Sequence, residues 1–370
     1  MSEPGYYPRK VFVEKGSLKF PLTERILNAL AHIPTETIQS PEEVITHFKE
    51  MRDPVGEGKK HLLITQQKGE FIKPCPCTPG YLGCNYFIIN VDLNCPLDCS
   101  YCILQLYLSN PLITVHVNTD ELWGQLDSFL SANPNRFLRI GTGELGDSLV
   151  LDHITQRSTE LMDYFRSVPS ALFELKTKTA NIDNILSAPS AENIVVAWSL
   201  NAEKIADKEE RGAPSIKERL AAAQVVSKRG FPVAFHFDPL ILYPGWEDGY
   251  EEVIDALFTA INADRIAWIS LGSLRFPHPL KEIIKKRSPD SRIVYEELIR
   301  GEDGKLRYFK PLRFQLYSTV VDKIQDRAGD RVPLYFCMES GEIWRKVLKK
   351  EIKGKETIEY YLSLPFKYRR

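Results

Sequence analysis

No stretch of this 370-residue chain stays apolar for the roughly 18 residues that suggest a membrane-spanning helix. The opening residues, MSEPGYYPRKVFVEKG, lack the apolar core of a secretory signal, so a soluble, cytoplasmic protein with no membrane partner is expected. No charge sign is in excess: 48 Lys and Arg face 49 Asp and Glu, a formal net of −1. A chain so balanced has no global pull on nucleic acid, which leaves local basic patches as the only electrostatic route to one. Internal repeats and low-complexity tracts are missing. Cysteine is scarce, seven in all, too few for a disulfide scaffold. With 43% hydrophobic and 26% charged residues, the chain has the makings of a sizeable core in one large domain or two.

The few cysteines are unevenly spread. Six fall between Cys75 and Cys102, and Cys337 stands apart. Cys95, Cys99 and Cys102 lie in NCPLDCSYCILQ at the spacing C-x3-C-x2-C. Clustered thiols in a reducing compartment point to metal or catalysis, and this spacing suits soft metals and iron–sulfur clusters. Structural zinc wants four ligands, usually as two separated C-x2-C pairs, and the trio has no fourth beside it. A 4Fe–4S cubane on three thiolates leaves one iron open. S-adenosylmethionine can chelate that iron, and an electron passed to its sulfonium yields a deoxyadenosyl radical. Two plainer readings stand beside this one: three core thiols that bind nothing, and a zinc site completed by Cys84 or another residue.

Residues 1–85 read as a small α/β cap, with strands in KVFVEKGSL and KHLLITQQ and helices in LTERILNALAHI and PEEVITHFKEM. From Tyr86 onward strands alternate with helical patterns: YFIINVDL, ITVHVN, FLRIGTGE, LFELKTKT, NIVVAWSLN, FPVAFHFDPLIL and IAWISLGSL. Alternation predicts βαβ units and a parallel sheet, here an α/β fold with a full or partial (β/α) barrel over 86–290. Residues 291–370 are left as a C-terminal extension. In such folds ligands meet the protein at the carboxyl ends of the strands. Those ends carry Glu144, Lys176, Lys178, Ser199, Asn201, His236, Asp238, Ser270 and Ser273. His236 and Asp238 are two apart on one strand, so they share a face and are expected in the pocket.

The chain resembles the radical S-adenosylmethionine superfamily and, within it, the spore photoproduct lyase family. The broader likeness rests on C-x3-C-x2-C with aromatic Tyr101 before the third cysteine. The narrower one rests on VFVEKGSLKFPLTERI, CPLDCSYCILQ, GDSLVLDHIT, KTKTANIDNIL, WSLNAEKI and GFPVAFHFDPLILYPGWEDGYEEV. The resemblance implies a partial barrel of the radical SAM type, with small flanking elements and a 4Fe–4S cluster on Cys95, Cys99 and Cys102. It implies that Tyr101 packs near the adenine of S-adenosylmethionine and that Gly143 and Glu144 act as the superfamily's G-G-E motif, the acid meeting the methionyl ammonium. Lys178 and Ser199 match positions that hold the methionyl carboxylate and other polar groups, and Asn201 is grouped with them. Hydrogen abstraction from a nucleic acid, and a flavodoxin- or ferredoxin-like electron donor, are what the resemblance suggests for partners.

Two parts of the family's hydrogen relay are missing. In the DNA-repair lyase a cysteine follows the GTGE strand and returns a hydrogen atom to the product radical; here that segment reads GTGELGDSL, with Glu144 or a neighbour at the aligned place. A carboxylic O–H bond is too strong to serve. The tyrosine expected after the third cluster cysteine is Ile103. Glu144, His236 and Asp238 are therefore the catalytic candidates. Alternatives are genuine spore photoproduct repair with a different hydrogen donor, and a zinc-stabilised nucleic-acid-binding protein without catalysis. Four thiols outside the trio (Cys75, Cys77, Cys84 and Cys337) match the number for a second iron–sulfur cluster or zinc site, and one of them is a possible replacement donor. Finally, RIVYEELIRGEDGKLRYFKPLRFQLY reads as a hairpin with EDGK as its turn, similar to the element the lyase directs at damaged DNA. Its Arg307, Tyr308, Lys310 and Arg313 suit phosphate contact and base stacking, and suit a solvated hairpin face about as well.

Overall fold

The computed structural model describes residues 5–77, 80–134 and 136–367. Two mixed sheets organise them. The larger has eight strands in the order Leu334–Phe336, Ile266–Ser273, Val233–Leu240, Ile194–Ser199, Ala171–Thr177, Leu138–Thr142, Tyr86–Ile89 and Ile72–Pro74. All pairings are parallel except that of the edge strand Ile72–Pro74. The sheet curls into the expected partial barrel. Its central strands are buried at nearly every residue, as a sheet covered on both faces requires. Arg157–Arg166 packs on Ala171–Thr177, Ile216–Lys228 on Ile194–Ser199, and Lys310–Ala328 on Ile266–Ser273. Ser215 starts the second of these helices with a capping box to Glu218, which satisfies backbone donors that the helix cannot.

The strand read from ITVHVN is not a barrel strand. Ile113–His116 joins a five-stranded sheet with Thr35–Ile38, Lys10–Glu14, His61–Thr65 and Asp92–Leu93. All four of its residues are buried, so its periodicity carries no hint of which sheet it serves. In the other direction, Leu334–Phe336 of the C-terminal extension supplies the far edge of the barrel.

Two glycines of the GTGE segment have mainly structural reasons to be glycine. A Cβ on Gly141 would collide with the carbonyl of Glu174 and the hydroxyl of Tyr86. Gly143 has φ +92, and a Cβ there would stand 2.7 Å from the Lys176 carbonyl. Both allow the strand to run close beside Ala171–Thr177.

The C-terminal hairpin forms, pairing Leu298–Arg300 with Lys305–Tyr308, and Arg275–Pro277 adds a third strand. Its expected nucleic-acid face does not. Arg307 is buried with both Nη2 contacts to Asp303 at 2.6 Å, and Arg313 lies on the following helix, buried against Glu339 at 3.0 Å. Tyr308 is fully buried, and exposed Lys310 pairs with Glu342. Interleaved charges look alike in sequence whether they face solvent or close ion pairs under a hairpin. Among the described residues no helix is long and apolar enough to cross a membrane.

Candidate functional site

A cavity of about 630 Å³ opens at the carboxyl ends of the barrel strands, and all seven cysteines line it. The C-x3-C-x2-C segment enters through Asn94, whose backbone is left-handed (φ 68) and whose Oδ1 accepts from the Cys95 amide at 2.9 Å. Asn94 Nδ2 donates to the Pro111 carbonyl at 2.7 Å. Asp98–Cys99 then pairs with Glu210–Arg211 in a two-residue antiparallel ladder, and the Asp98 carboxylate is held by Arg287 and Arg211, each at 3.0 Å. Gln105 closes the loop by donating to the Ser100 carbonyl at 2.9 Å. The trio is thus held from four sides. Cys95 and Cys99 are buried and Cys102 half-buried. Burial pushes the Cys99 thiol up to about 12, with Lys178 pulling the other way. Thiols that cost this much to ionise stay inert unless a metal takes the proton's place. Three thiols lining one cavity, beside a lysine, fit the donor set of a cluster with an open position.

Around them the strand ends place most of the expected cofactor groups. Lys178 Nζ lies 5.9 Å from the Tyr101 ring centroid and 3.9 Å from Glu210 Oε1. Its amide donates to Asp147 Oδ2 at 2.7 Å, which fixes where the side chain leaves the strand. The Tyr101 hydroxyl donates to Glu210, and Arg219 meets the same carboxylate at 2.6 Å. Ser199, Gly143 and Glu144 also line the cavity. Asn201 does not. It is buried under the loop, Oδ1 accepting from the Tyr250 hydroxyl at 2.8 Å and Nδ2 donating to the Pro239 carbonyl at 3.0 Å. With its amide spent on backbone and tyrosine, Asn201 braces strand ends and is removed from the cofactor groups.

The rest of the wall is a set of ion pairs. Glu144 is engaged by Lys176. Asp238 accepts from both Arg275 nitrogens, at 2.9 and 3.1 Å. His236 Nε2 lies 2.7 Å from Glu174 Oε1, and Arg139 Nη2 is 3.6 Å from the other oxygen. Burial alone would raise the Glu174 carboxyl, but His236 and Arg139 bring it down to about 2. Asp238 is likewise raised by burial and brought below its usual range by Arg275. His236 and Asp238 share the cavity as their spacing predicted. Arg139, Glu174, Glu210 and Arg275 escaped the sequence reading. For Arg139 and Glu174 the signal existed: each is a charge with apolar neighbours on both sides within its strand, which survives burial only if paired.

Cys75, Cys77, Cys84 and Cys337 face the same cavity. The loop carrying the first three is pinned to the segment after the last barrel strand, the Leu82 amide donating to the Glu339 carbonyl at 3.0 Å. Among the described residues no three His, Cys, Asp or Glu side chains, the trio included, stand close enough to share one metal ion.

A family model described as spore photoproduct lyase matches residues 6–318. The spore photoproduct lyase of Bacillus subtilis (strain 168) is 25% identical over 299 residues, covering 79% of this chain and 85% of that protein. That of Clostridium acetobutylicum is 21% identical over 336 residues, 89% of this chain and 96% of the relative. A solved cysteine-to-alanine variant of spore photoproduct lyase superposes with a TM-score of 0.81 at 23% identity, over 90% of this chain and all of the other. A doubly substituted variant with bound AdoMet and dinucleoside spore photoproduct gives 0.78 at 22%, with the same coverage.

Proposed function

The chain belongs to the spore photoproduct lyase family of radical S-adenosylmethionine enzymes, and from that membership we propose that it abstracts hydrogen from a nucleic-acid lesion in the cavity described above. The observation that carries the reading is the convergence of the C-x3-C-x2-C thiols, Lys178, Ser199 and Tyr101 on that one cavity. A 4Fe–4S cluster on Cys95, Cys99 and Cys102 would, with S-adenosylmethionine bound, supply the deoxyadenosyl radical. The chain's own groups do the positioning. Lys178 offers its ammonium to the methionyl carboxylate, and the Glu210 carboxylate limits how far that ammonium swings. Tyr101, its hydroxyl tied to Glu210, presents a fixed ring face to the adenine.

In the same cavity Asp238 and His236, the latter paired in register with Ser199, are held by Arg275 and Glu174, so polar groups reach the substrate from fixed positions. Ile103 and Tyr107, both exposed at the rim, give an unstacked base an apolar and an aromatic surface. Glu144 returns no hydrogen atom, since it is a carboxylate under the Lys176 ammonium.

The test is anaerobic reconstitution with iron, sulfide, a strong reductant and S-adenosylmethionine, with and without lesion-bearing DNA. Deoxyadenosine is expected in both cases, and its formation should rise with the lesion. A fully loaded, reduced protein that forms no deoxyadenosine would overturn the proposal. Cleavage that ignores lesion DNA would overturn the substrate class.

A further inference from the structure

We propose that Cys75, Cys77, Cys84 and Cys337 hold a second 4Fe–4S cluster in the same cavity as the first. Four thiolates complete such a cluster with no open iron.

Three observations converge on it. The first is placement: two distant segments bring their thiols to one cavity, and the Leu82–Glu339 bridge holds those segments together.

The second is an unused buried donor. Arg139 is 1% exposed and lines the cavity, yet its Nε and Nη1 have no hydrogen-bond partner among the described residues. Orphaned guanidinium donors at that depth are costly unless something accepts from them. The Arg139 guanidinium is flanked by the rings of Tyr86, Trp268 and Tyr335, at 5.4, 4.5 and 5.3 Å, none of which accepts as an oxygen or sulfur would, and it lines the same cavity as Cys84 and Cys337.

The third is charge. A four-thiolate cubane is anionic, and hydrogen bonds to its sulfurs set its stability and potential. Arg275 Nη2 already donates to Cys337 Sγ at 3.3 Å. Lys176, Arg275 and Lys305 line the same cavity as the four thiols.

The spacing speaks against a single metal ion. Tetrahedral metal–sulfur bonds of about 2.3 Å hold ligand sulfurs roughly 3.8 Å apart, and no three candidate side chains stand that close among the described residues. Each thiolate of a cubane binds a different iron, so its ligands sit farther apart, as those of the trio must.

The experiment counts metal on the full chain, reconstituted without oxygen, in three forms: unsubstituted, C95A/C99A/C102A, and C75S/C84S/C337S. About eight irons per chain are expected in the first and about four in each variant, with matching sulfide. After reduction, the C95A/C99A/C102A form should keep an EPR signal that added S-adenosylmethionine does not change. Four irons in the unsubstituted chain and none in C95A/C99A/C102A would overturn the proposal, and this arm of the count needs no quartet variant to fold. One zinc per chain, or four thiols of the quartet titrating as free after reconstitution, would overturn it as well; the second result would restore these thiols as hydrogen donors. The reading of the trio fails separately, through loss of deoxyadenosine formation with the quartet iron still in place.

Discussion

Lys178 shows how much one strand-end side chain is asked to do. It is the cation nearest the Tyr101 ring, and its amide is anchored by Asp147. A charge-assisted hydrogen bond contributes about 1.5–3 kcal/mol, so K178A should weaken S-adenosylmethionine binding roughly 10- to 150-fold. Equilibrium binding to the cluster-loaded variant checks this, and unchanged affinity would move the cofactor to another strand end. Glu174 acts on stability instead. Replacing it by glutamine leaves Arg139 buried without its carboxylate, a loss of about 3–5 kcal/mol in urea unfolding at neutral pH. Its pH dependence has a definite sign. The folded carboxyl sits at about 2, against about 4.3 when unfolded. The stabilisation is therefore complete above the unfolded value and disappears as pH falls toward 2. The E174Q variant should lack that portion of the acid sensitivity; equal acid sensitivity in both proteins would show that the carboxylate is not held as described.

At the level of elements, the site depends on strand ends that are braced from behind. Asn201 ties the end of Ile194–Ser199 to the end of Val233–Leu240 and to helix Trp246–Ala260 through Tyr250. Breaking that brace leaves buried partners unsatisfied, so N201A should lower unfolding free energy by about 1–3 kcal/mol. S-adenosylmethionine affinity of the folded protein should stay within about twofold, well below the change expected for a lost charged contact. A large affinity loss with unchanged stability would return Asn201 to the cofactor site. The same logic governs the hairpin at Leu298–Tyr308. Arg307 suited a DNA contact in the sequence, but it closes an ion pair with Asp303 inside the hairpin, while Arg313 of the following helix pairs with Glu339 beyond the last barrel strand.

For the molecule as a whole, Cys75, Cys77 and Cys84 meet Cys337 in one cavity from segments far apart in sequence. A metal bound only by the native state stabilises it by mass action, about 2.7 kcal/mol at a hundredfold excess over its Kd. Removing iron with a chelator should therefore lower the thermal unfolding midpoint, and readdition under reducing, anaerobic conditions should restore it. A midpoint that ignores iron would mean the thiols bind metal too weakly to tie the fold together.

Strand–helix alternation carried the barrel and its direction, because a parallel sheet buried on both faces leaves apolar runs at regular intervals. The same direction placed Glu144, Lys178, Ser199, His236 and Asp238 at one mouth, since polar groups that end apolar strands all emerge on one side. The C-x3-C-x2-C spacing marked the trio for the same local reason: its ligands are neighbours in the chain. Whatever depended on partners distant in sequence was decided only by the tertiary structure. Glu210 reaches Tyr101 from 109 residues away, Glu174 reaches His236 from 62, and Arg275 reaches Asp238 from 37. A charge in the sequence has no sign of its partner, and burial cannot be told from exposure in a stretch such as LRYFKPLR. The sheet membership of Ile113–His116 was open for a related reason. Hydrogen bonding across a sheet is made between strands, and nothing within one strand names its neighbour.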